Sequence, residues 1–302
     1  MKTTIISKRG VAPTWRVGRA GDDGRPGFGD GEVTAVASAF DAAAPSFNRH
    51  RVLPDGVAEA IRTAAIAAAG GVPRPRLLDI GAGAGRSGDP FMAAGDDYVG
   101  VDLSFGMLRA FLHRASCSGA ATWPAPPRLV RADGRYLPFP DTTFDAVLMI
   151  QIFGGLSDFR LLVSEARRVL RQSGAVVLGR TLAAEHGVDA RLKQRLALIL
   201  SEIGIGPGRN FHDDVELALN SAASSAETVV AASWRANRTA RQFLERHRTG
   251  ARFAALPEPV KEAALRQLAV WAVATFGSLD AVFSEQYAFA LQMFKFDPAA
   301  PF

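Results

Sequence analysis

The chain has one cysteine in 302 residues, Cys117. A lone thiol excludes an internal disulfide framework and most cysteine metal sites. Five histidines are scattered without ligand spacing, so a metal-independent protein is expected and no metal ligands are assigned. No apolar run is long enough to cross a membrane, and the stretch from Met1 to Ala12 does not read as a signal peptide. A cytoplasmic protein is the expectation. Lysine is scarce as well: only Lys2, Lys8, Lys193, Lys261 and Lys295 occur. The net charge of +5 and the isoelectric point near 9.8 therefore come from arginines, and these are dispersed. A solvated arginine-rich surface accounts for them, and nucleic acid is not the expected partner.

What is present is apolar residue, 48% of the chain, enough for one sizeable core. Residues 1–34 do not share in it. Gly21-Asp-Asp-Gly-Arg-Pro-Gly-Phe-Gly-Asp-Gly31 is nearly devoid of core formers and reads as part of a disordered or loosely attached N-terminal tail. Residues 35–302 read as one domain, with a core at 70–180 and a helical lid plus two last strands at 181–302.

The core stretch alternates strand and helix patterns. A helix is expected at about 54–69, then strands at 76–80, 98–102, 128–132, 144–151 and 175–179. Helices are expected at 104–115, where Ser104 can cap, and at 157–170. Phe144 to Gln151 is nearly continuous in apolar residues, the mark of a central strand. This alternation predicts a doubly wound, mostly parallel α/β sheet. Beyond it, 228–234 and 283–296 read as two further strands, and helical stripes fall at 188–203 and 260–276.

The organising stretch is Arg76-Leu-Leu-Asp-Ile-Gly-Ala-Gly-Ala-Gly-Arg86. A short buried strand runs into a turn where Gly81, Gly83 and Gly85 let the backbone bend and a ligand come close. Ligands of doubly wound sheets lie at the carboxyl ends of the strands. Three acids fall there: Asp79 near the first strand end, Asp102 after the second and Asp133 after the third. A carboxylate at a buried strand tip needs a partner. Two cofactors compete for the loop. From Gly83 the sequence also fits G-x-G-x-x-G, closed by Gly88, with Asp102 19 residues on, as in a dinucleotide site.

These residues resemble the class I S-adenosylmethionine-dependent methyltransferases, in particular the small-molecule branch similar to ubiquinone/menaquinone-biosynthesis methyltransferases. The resemblance covers about 45–180. It rests on Leu78-Asp-Ile-Gly-Ala-Gly-Ala-Gly85, Val99-Gly-Val-Asp-Leu-Ser104 with Met107-Leu108, Ala132-Asp133 before Leu137-Pro-Phe-Pro-Asp141, and Phe144-Asp-Ala-Val147. It implies a Rossmann-like, seven-stranded methyltransferase fold with helical insertions after strand five, and S-adenosyl-L-methionine as the cofactor. Asp79 and Gly81, Ala82, Gly83 and Gly85 would hold the methionine part and its ammonium. Asp102 would bind the ribose hydroxyls, with Leu103 beside the adenine and Met107 in the same turn. Asp133 would accept from the adenine amino group, lined by Ala132 and Gly134. Gln151 would lie near the methionyl end, and Arg51 or Phe47 would cover the cofactor. A dinucleotide would leave Asp79 and Asp133 without such roles.

The function so implied is methyl transfer to a small, apolar or aromatic metabolite. Two alternatives stay open: methylation of RNA or protein, and a non-catalytic S-adenosylmethionine-binding subunit. Candidates for a base are His186, His212 and Asp213, with Tyr136 and Arg180 as acceptor contacts; none is singled out. The chain departs from many relatives at Met149-Ile-Gln-Ile-Phe-Gly-Gly155, where they carry a histidine.

Overall fold

A computed structural model describes residues 4–6, 40–41, 44, 53–117, 123–153, 159–205, 211–248 and 256–297. Five parallel strands form its centre: β2 (Arg76–Ile80), β3 (Asp97–Asp102), β4 (Arg128–Arg131), β5 (Phe144–Ile150) and β6 (Leu170–Ala183). β7 (Ser225–Arg238) and β8 (Phe283–Lys295) complete one side, with β8 antiparallel to both β6 and β7. On the other edge β1 (Thr4–Ile6) pairs antiparallel with β4. The order is β1-β4-β3-β2-β5-β6-β8-β7. The sheet thus has eight strands where seven were expected, because three residues assigned to a loose tail satisfy the free edge of β4.

Helices cover both faces. α1 (Val57–Ala68), α2 (Asp89–Ala94) and α3 (Phe105–Cys117) belong to one side; α4 (Phe159–Val169) and α6 (His212–Ala222) belong to the other. Strand alternation feeds two separate cores. Val147, Met149, Val176 and Leu178 meet Leu162, Val163, Val215 and Leu219. Ala146, Leu148, Ala175 and Val177 meet Val57, Ile61 and Ala65. Two covered faces explain why β5 is buried along its whole length. Each fully buried Leu, Val or Phe contributes roughly 1.5–3 kcal/mol, which makes this pattern the main source of stability.

Charged groups pin the connections. Arg168 donates to the carbonyls of Leu137 and Phe139 and pairs with Glu165 and Asp141, fixing the Pro-rich turn that follows β4. Buried Asp145 accepts from the Arg76 N–H (2.8 Å) and from Arg171, locking the foot of β2 to β5.

β6 and β7 are longer than the sequence pattern indicates, while β8 matches its expected span. β6, β7 and β8 run 14, 14 and 13 residues. They project past the carboxyl edge of the parallel strands, pairing out to Ala183↔Tyr287 and Arg238↔Phe283. On that projection stands a helical cap: α5 (Val188–Glu202), α7 (Ala240–Arg248) and α8 (Glu258–Phe276), closed around Leu192, Ile199, Phe243, Ala264 and Leu268. Helical material enters at two places after the fifth expected strand, between β6 and β7 and between β7 and β8, as the stripes at 188–203 and 260–276 indicate.

A buried polar knot joins cap to sheet. Glu285 on β8 accepts from the Val188 N–H at the start of α5 (2.5 Å) and from the Tyr287 hydroxyl (2.8 Å). Arg238 donates to Tyr287 (3.1 Å), and Arg246 of α7 holds Asp189 of α5 at 2.8 Å. Phe243 is fully buried in the cap, with His247 stacked on it at 3.7 Å. Phe243→Ala should therefore cost about 3–5 kcal/mol of unfolding free energy in a denaturant melt. A loss under about 1 kcal/mol would show that the cap does not close around this ring.

Candidate active site

The carboxyl ends of β2, β3, β4 and β5 bring the sequence candidates to one edge. β2 ends in the glycine turn, where Gly81, Gly83 and Gly85 take φ of 79°, 55° and 80°. At Gly85 a Cβ would strike the Phe111 ring at 2.3 Å, and at Gly81 it would strike Ile152 at 2.4 Å. At Gly83 a Cβ would meet only the Gly81 carbonyl oxygen, at an ordinary 3.8 Å. The ends of the loop need glycine for packing; its centre needs it for the positive φ alone.

Asp102 joins that loop to α3. Its Oδ2 accepts from the Gly83 N–H (2.9 Å) and its Oδ1 from the Ser104 N–H (2.8 Å). Ser104 in turn caps α3, its hydroxyl accepting from the Met107 N–H at 3.1 Å. Burial raises the Asp102 carboxyl to about 6; the N–H donors of Ser104 and Gly83 oppose that shift, and the charge of Asp41 adds to it.

Asp79 lies elsewhere than expected. It is 1% exposed, beneath the glycine loop, on the face where α2 and α3 pack. Its Oδ2 accepts from the Tyr98 hydroxyl at 2.7 Å and lies 3.5 Å from the Ser87 hydroxyl, while Oδ1 has no hydrogen-bond partner. Tyr98 is itself packed between Phe91 and Phe111. Asp79 thus braces the loop from below. The cause is strand alternation: Leu78 and Ile80 point to the opposite core.

Asp133 follows β4 and is already engaged. Arg135 donates to it from its backbone N–H (2.9 Å), Nε (3.1 Å) and Nη2 (2.8 Å). With a fourth contact from Nε to Oδ2 (3.2 Å), Arg135 holds both carboxylate oxygens and fixes the orientation of Asp133. Ala132 is buried, and a Cβ on Gly134 would meet Leu162 and Ile80, so Gly134 is held by packing. Leu103 is half-buried and its carbonyl accepts from Arg131. Met107 is buried against Ala44 and Ala84.

Gln151 closes the fourth side. It follows β5 with φ of 56°, a left-handed conformation that costs a non-glycine residue roughly 1–3 kcal/mol. The Gln151 N–H donates to Gly179 (2.9 Å). Its side chain accepts from Arg86 (3.0 Å) and donates to Thr181 (2.8 Å). A polar bar therefore crosses the ends of β2, β5 and β6.

Other candidates separate. His186 is exposed in the turn before α5. His212 is buried, edge-on to Phe153 at 5.6 Å, and burial lowers it below the usual histidine range. Asp213 is ion-paired to Arg180 at 2.8 Å, and Tyr136 is exposed. Among the described residues, His212, Asp213 and Glu216 are the one group close enough to share a metal ion. Arg180 already balances that group through Asp213 and Glu216. Arg51 and Phe47 lie outside the described residues.

The sequence reading missed three members of the site. Tyr98 and Asp41 have no local signal, since their contacts span 19 and more than 60 residues. Arg135 does have one, the short spacing Asp133-Gly134-Arg135.

A glycine turn with an acid at each of the next two strand ends marks a candidate ligand site on the carboxyl edge of a doubly wound domain. Comparison sharpens that class. Residues 78–178 match the family described as "Methyltransferase domain". The chain is 32% identical over 144 residues to a demethylmenaquinone methyltransferase of Renibacterium salmoninarum, covering 47% of this chain and 57% of that one. It is 34% identical over 144 residues to the enzyme of the same name from Streptomyces griseus subsp. griseus, covering 47% and 59%. The chain thus spans under two thirds of the length of these relatives. Among solved structures, the YcgJ protein of Bacillus subtilis aligns with a TM-score of 0.50 at 19% identity, over 79% of this chain and 99% of that one. The [4+2]-cyclase SpnF aligns with a TM-score of 0.51 at 17% identity, over 87% and 96%. These two show the fold alone.

Residues 78–178 thus match a methyltransferase domain, and over about half its length the chain resembles the demethylmenaquinone methyltransferases. S-adenosyl-L-methionine is the cofactor that this resemblance implies. The site's chemistry fits it: Gly83 is not hemmed in by side chains, and an acid stands at each of two neighbouring strand ends.

Asp79 also supplies a pH signature. Burial raises its carboxyl from 3.8 to about 7, against the lowering hydrogen bond of Tyr98. A folded value above the unfolded one favours the protonated fold, so this stability is full at low pH and lost as pH rises through about 7. Asp102 acts in the same direction up to about 6. The Asp79 contribution to the melting temperature of the cofactor-free protein should fall between about pH 4 and 7, and Asp79→Asn should flatten that fall. An Asp79→Asn variant with an unchanged pH slope in thermal melts would refute the assignment.

Proposed function

We propose that the protein transfers the methyl group of S-adenosylmethionine to a small, apolar or aromatic metabolite. One observation carries the reading: Asp102 stands at the end of β3 with its carboxylate oriented by the N–H groups of Gly83 and Ser104. Such an acid presents acceptors to two ribose hydroxyls, and the Gly83 turn beside it admits the methionine portion. Leu103 and Ala132 would flank the adenine, and Asp133, oriented by Arg135, would take the adenine amino group. Asp79 acts on the methionine end through the loop it braces.

When bound, the cofactor supplies a sulfonium-activated methyl group. The protein's task is then to hold an acceptor atom in line with it, a matter of positioning more than of acid–base chemistry. A base is needed only for an acceptor that must lose a proton. The demethylmenaquinone methyltransferases among the relatives support a small acceptor. Among the described residues, no helix is long and apolar enough to cross a membrane. A cytoplasmic location is part of this proposal.

Two measurements test it. Asp102→Ala should weaken S-adenosylmethionine binding in calorimetry on the order of 100-fold, since two hydroxyls lose a charged acceptor. Unchanged affinity would remove the assignment. Incubation with cofactor and a metabolite extract, read by mass spectrometry, should yield a small molecule 14 Da heavier, the mass of an added CH₂ (~14 Da). Methylated RNA or protein with no such product would overturn the acceptor class.

A further inference from the structure

The short helical stretch at Phe40 and Asp41 lies far from the glycine loop in sequence, yet it reaches the same edge of the sheet. Asp41 Oδ1 accepts from the Ser104 hydroxyl at 2.5 Å and from the Gly106 N–H at 2.7 Å. A Cβ on Gly106 would meet the Asp41 Cα at 2.9 Å, so residue 106 must be small for this approach. Phe40 and Ala44 pack on Ala84 and Met107, tying the stretch to both the glycine loop and α3. Ser104 is the shared element: its hydroxyl binds Asp41 while its N–H orients Asp102.

We propose that Asp41 is a positioning residue for the cofactor, holding the 103–106 turn so that Asp102 faces the ribose. The inference rests on the reading that Asp102 binds the ribose hydroxyls. Asp41 touches no ligand in this scheme. It fixes the turn at the Ser104 hydroxyl and the Gly106 N–H, removes freedom from the turn and so holds Asp102 toward the ribose. The docked stretch is then part of the cofactor site rather than a separate arm.

A second consequence is electrostatic. The groups that face Asp102 are Asp41, Asp79 from β2, Tyr98 on β3 itself and Arg131 on β4, which donates to the Leu103 carbonyl. Asp41 adds negative charge and raises the Asp102 carboxyl, which titrates near 6. Asp102 accepts best when ionised, so cofactor affinity rises as pH passes through that value. Removing the Asp41 charge lowers the Asp102 value and moves the rise to lower pH.

The test is calorimetric titration of the full chain with S-adenosylmethionine across about pH 5 to 8, for wild type, Asp41→Asn, Asp41→Ala and Asp102→Ala. Circular dichroism checks that each is folded. Asp41→Ala should weaken binding about tenfold by freeing the turn. Asp41→Asn keeps an acceptor oxygen and should bind within about threefold of wild type, with its pH midpoint shifted down. If both Asp41 variants keep the wild-type affinity and midpoint while Asp102→Ala loses binding, Asp41 has no positioning role and the ribose assignment stands. If Asp102→Ala binds as wild type, the ribose assignment fails and this inference with it.

Discussion

One carboxylate spans the two loops on which the site depends. Asp102 accepts from Gly83 in the glycine turn and from Ser104 at the start of α3. Without it, two N–H groups at a half-buried strand end lose their acceptor, and each such loss costs about 1–3 kcal/mol. The bond also sets a distance. β2 and β3 are register-locked from Arg76↔Asp97 to Ile80↔Val101, so their exits are adjacent by construction. The Val101 carbonyl then accepts from the N–H groups of Gly81 and Ala82 (2.8 and 2.9 Å), which turns the chain back over the sheet. Everything proposed for the adenosyl group follows from that geometry.

The other half of the edge is organised by strain and reach. Gln151 accepts a left-handed backbone because its N–H is held by Gly179 and its side chain by Arg86 and Thr181. Beyond it the long strands β6, β7 and β8 carry the helical cap above the same edge. The Glu285 knot makes that cap a fixed wall at its base: Glu285 accepts from the Val188 N–H and the Tyr287 hydroxyl, and Asp189 is paired with both Arg246 and Arg238. An acceptor entering from the strand ends would meet a glycine turn on one side and this wall on the other.

Most of the parallel core was legible in the sequence because its physics is local. Continuous apolar runs such as Phe144–Ile150 mark two-sided burial, and glycines at positive φ mark the turn. The acids were legible as strand-end carboxylates, but not their orientation. Asp79 and Asp102 look alike in the sequence and share one side of the pleat; what separates them is that Asp79 lies inside β2 under the Tyr98 hydroxyl, while Asp102 is the last residue of β3 and meets the N–H groups of Gly83 and Ser104. What escaped was long-range. Asp41 reaches Ser104 across 63 residues, the Thr4–Ile6 strand completes an edge set by β4, and α6 and α7 carry stripes too short to stand out. The length of β7 escaped for a related reason: its outer rows are solvent-facing, so only its apolar middle gives a strand signal.

The account turns on where the ribose lies. A crystal structure of the chain with S-adenosylhomocysteine measures that directly. The account predicts both ribose hydroxyls within hydrogen-bond distance of the Asp102 carboxylate, the methionine portion over Gly83, and Asp41 still bound to Ser104. A ribose placed away from Asp102, or a ligand that leaves the Gly83 turn empty, would contradict it.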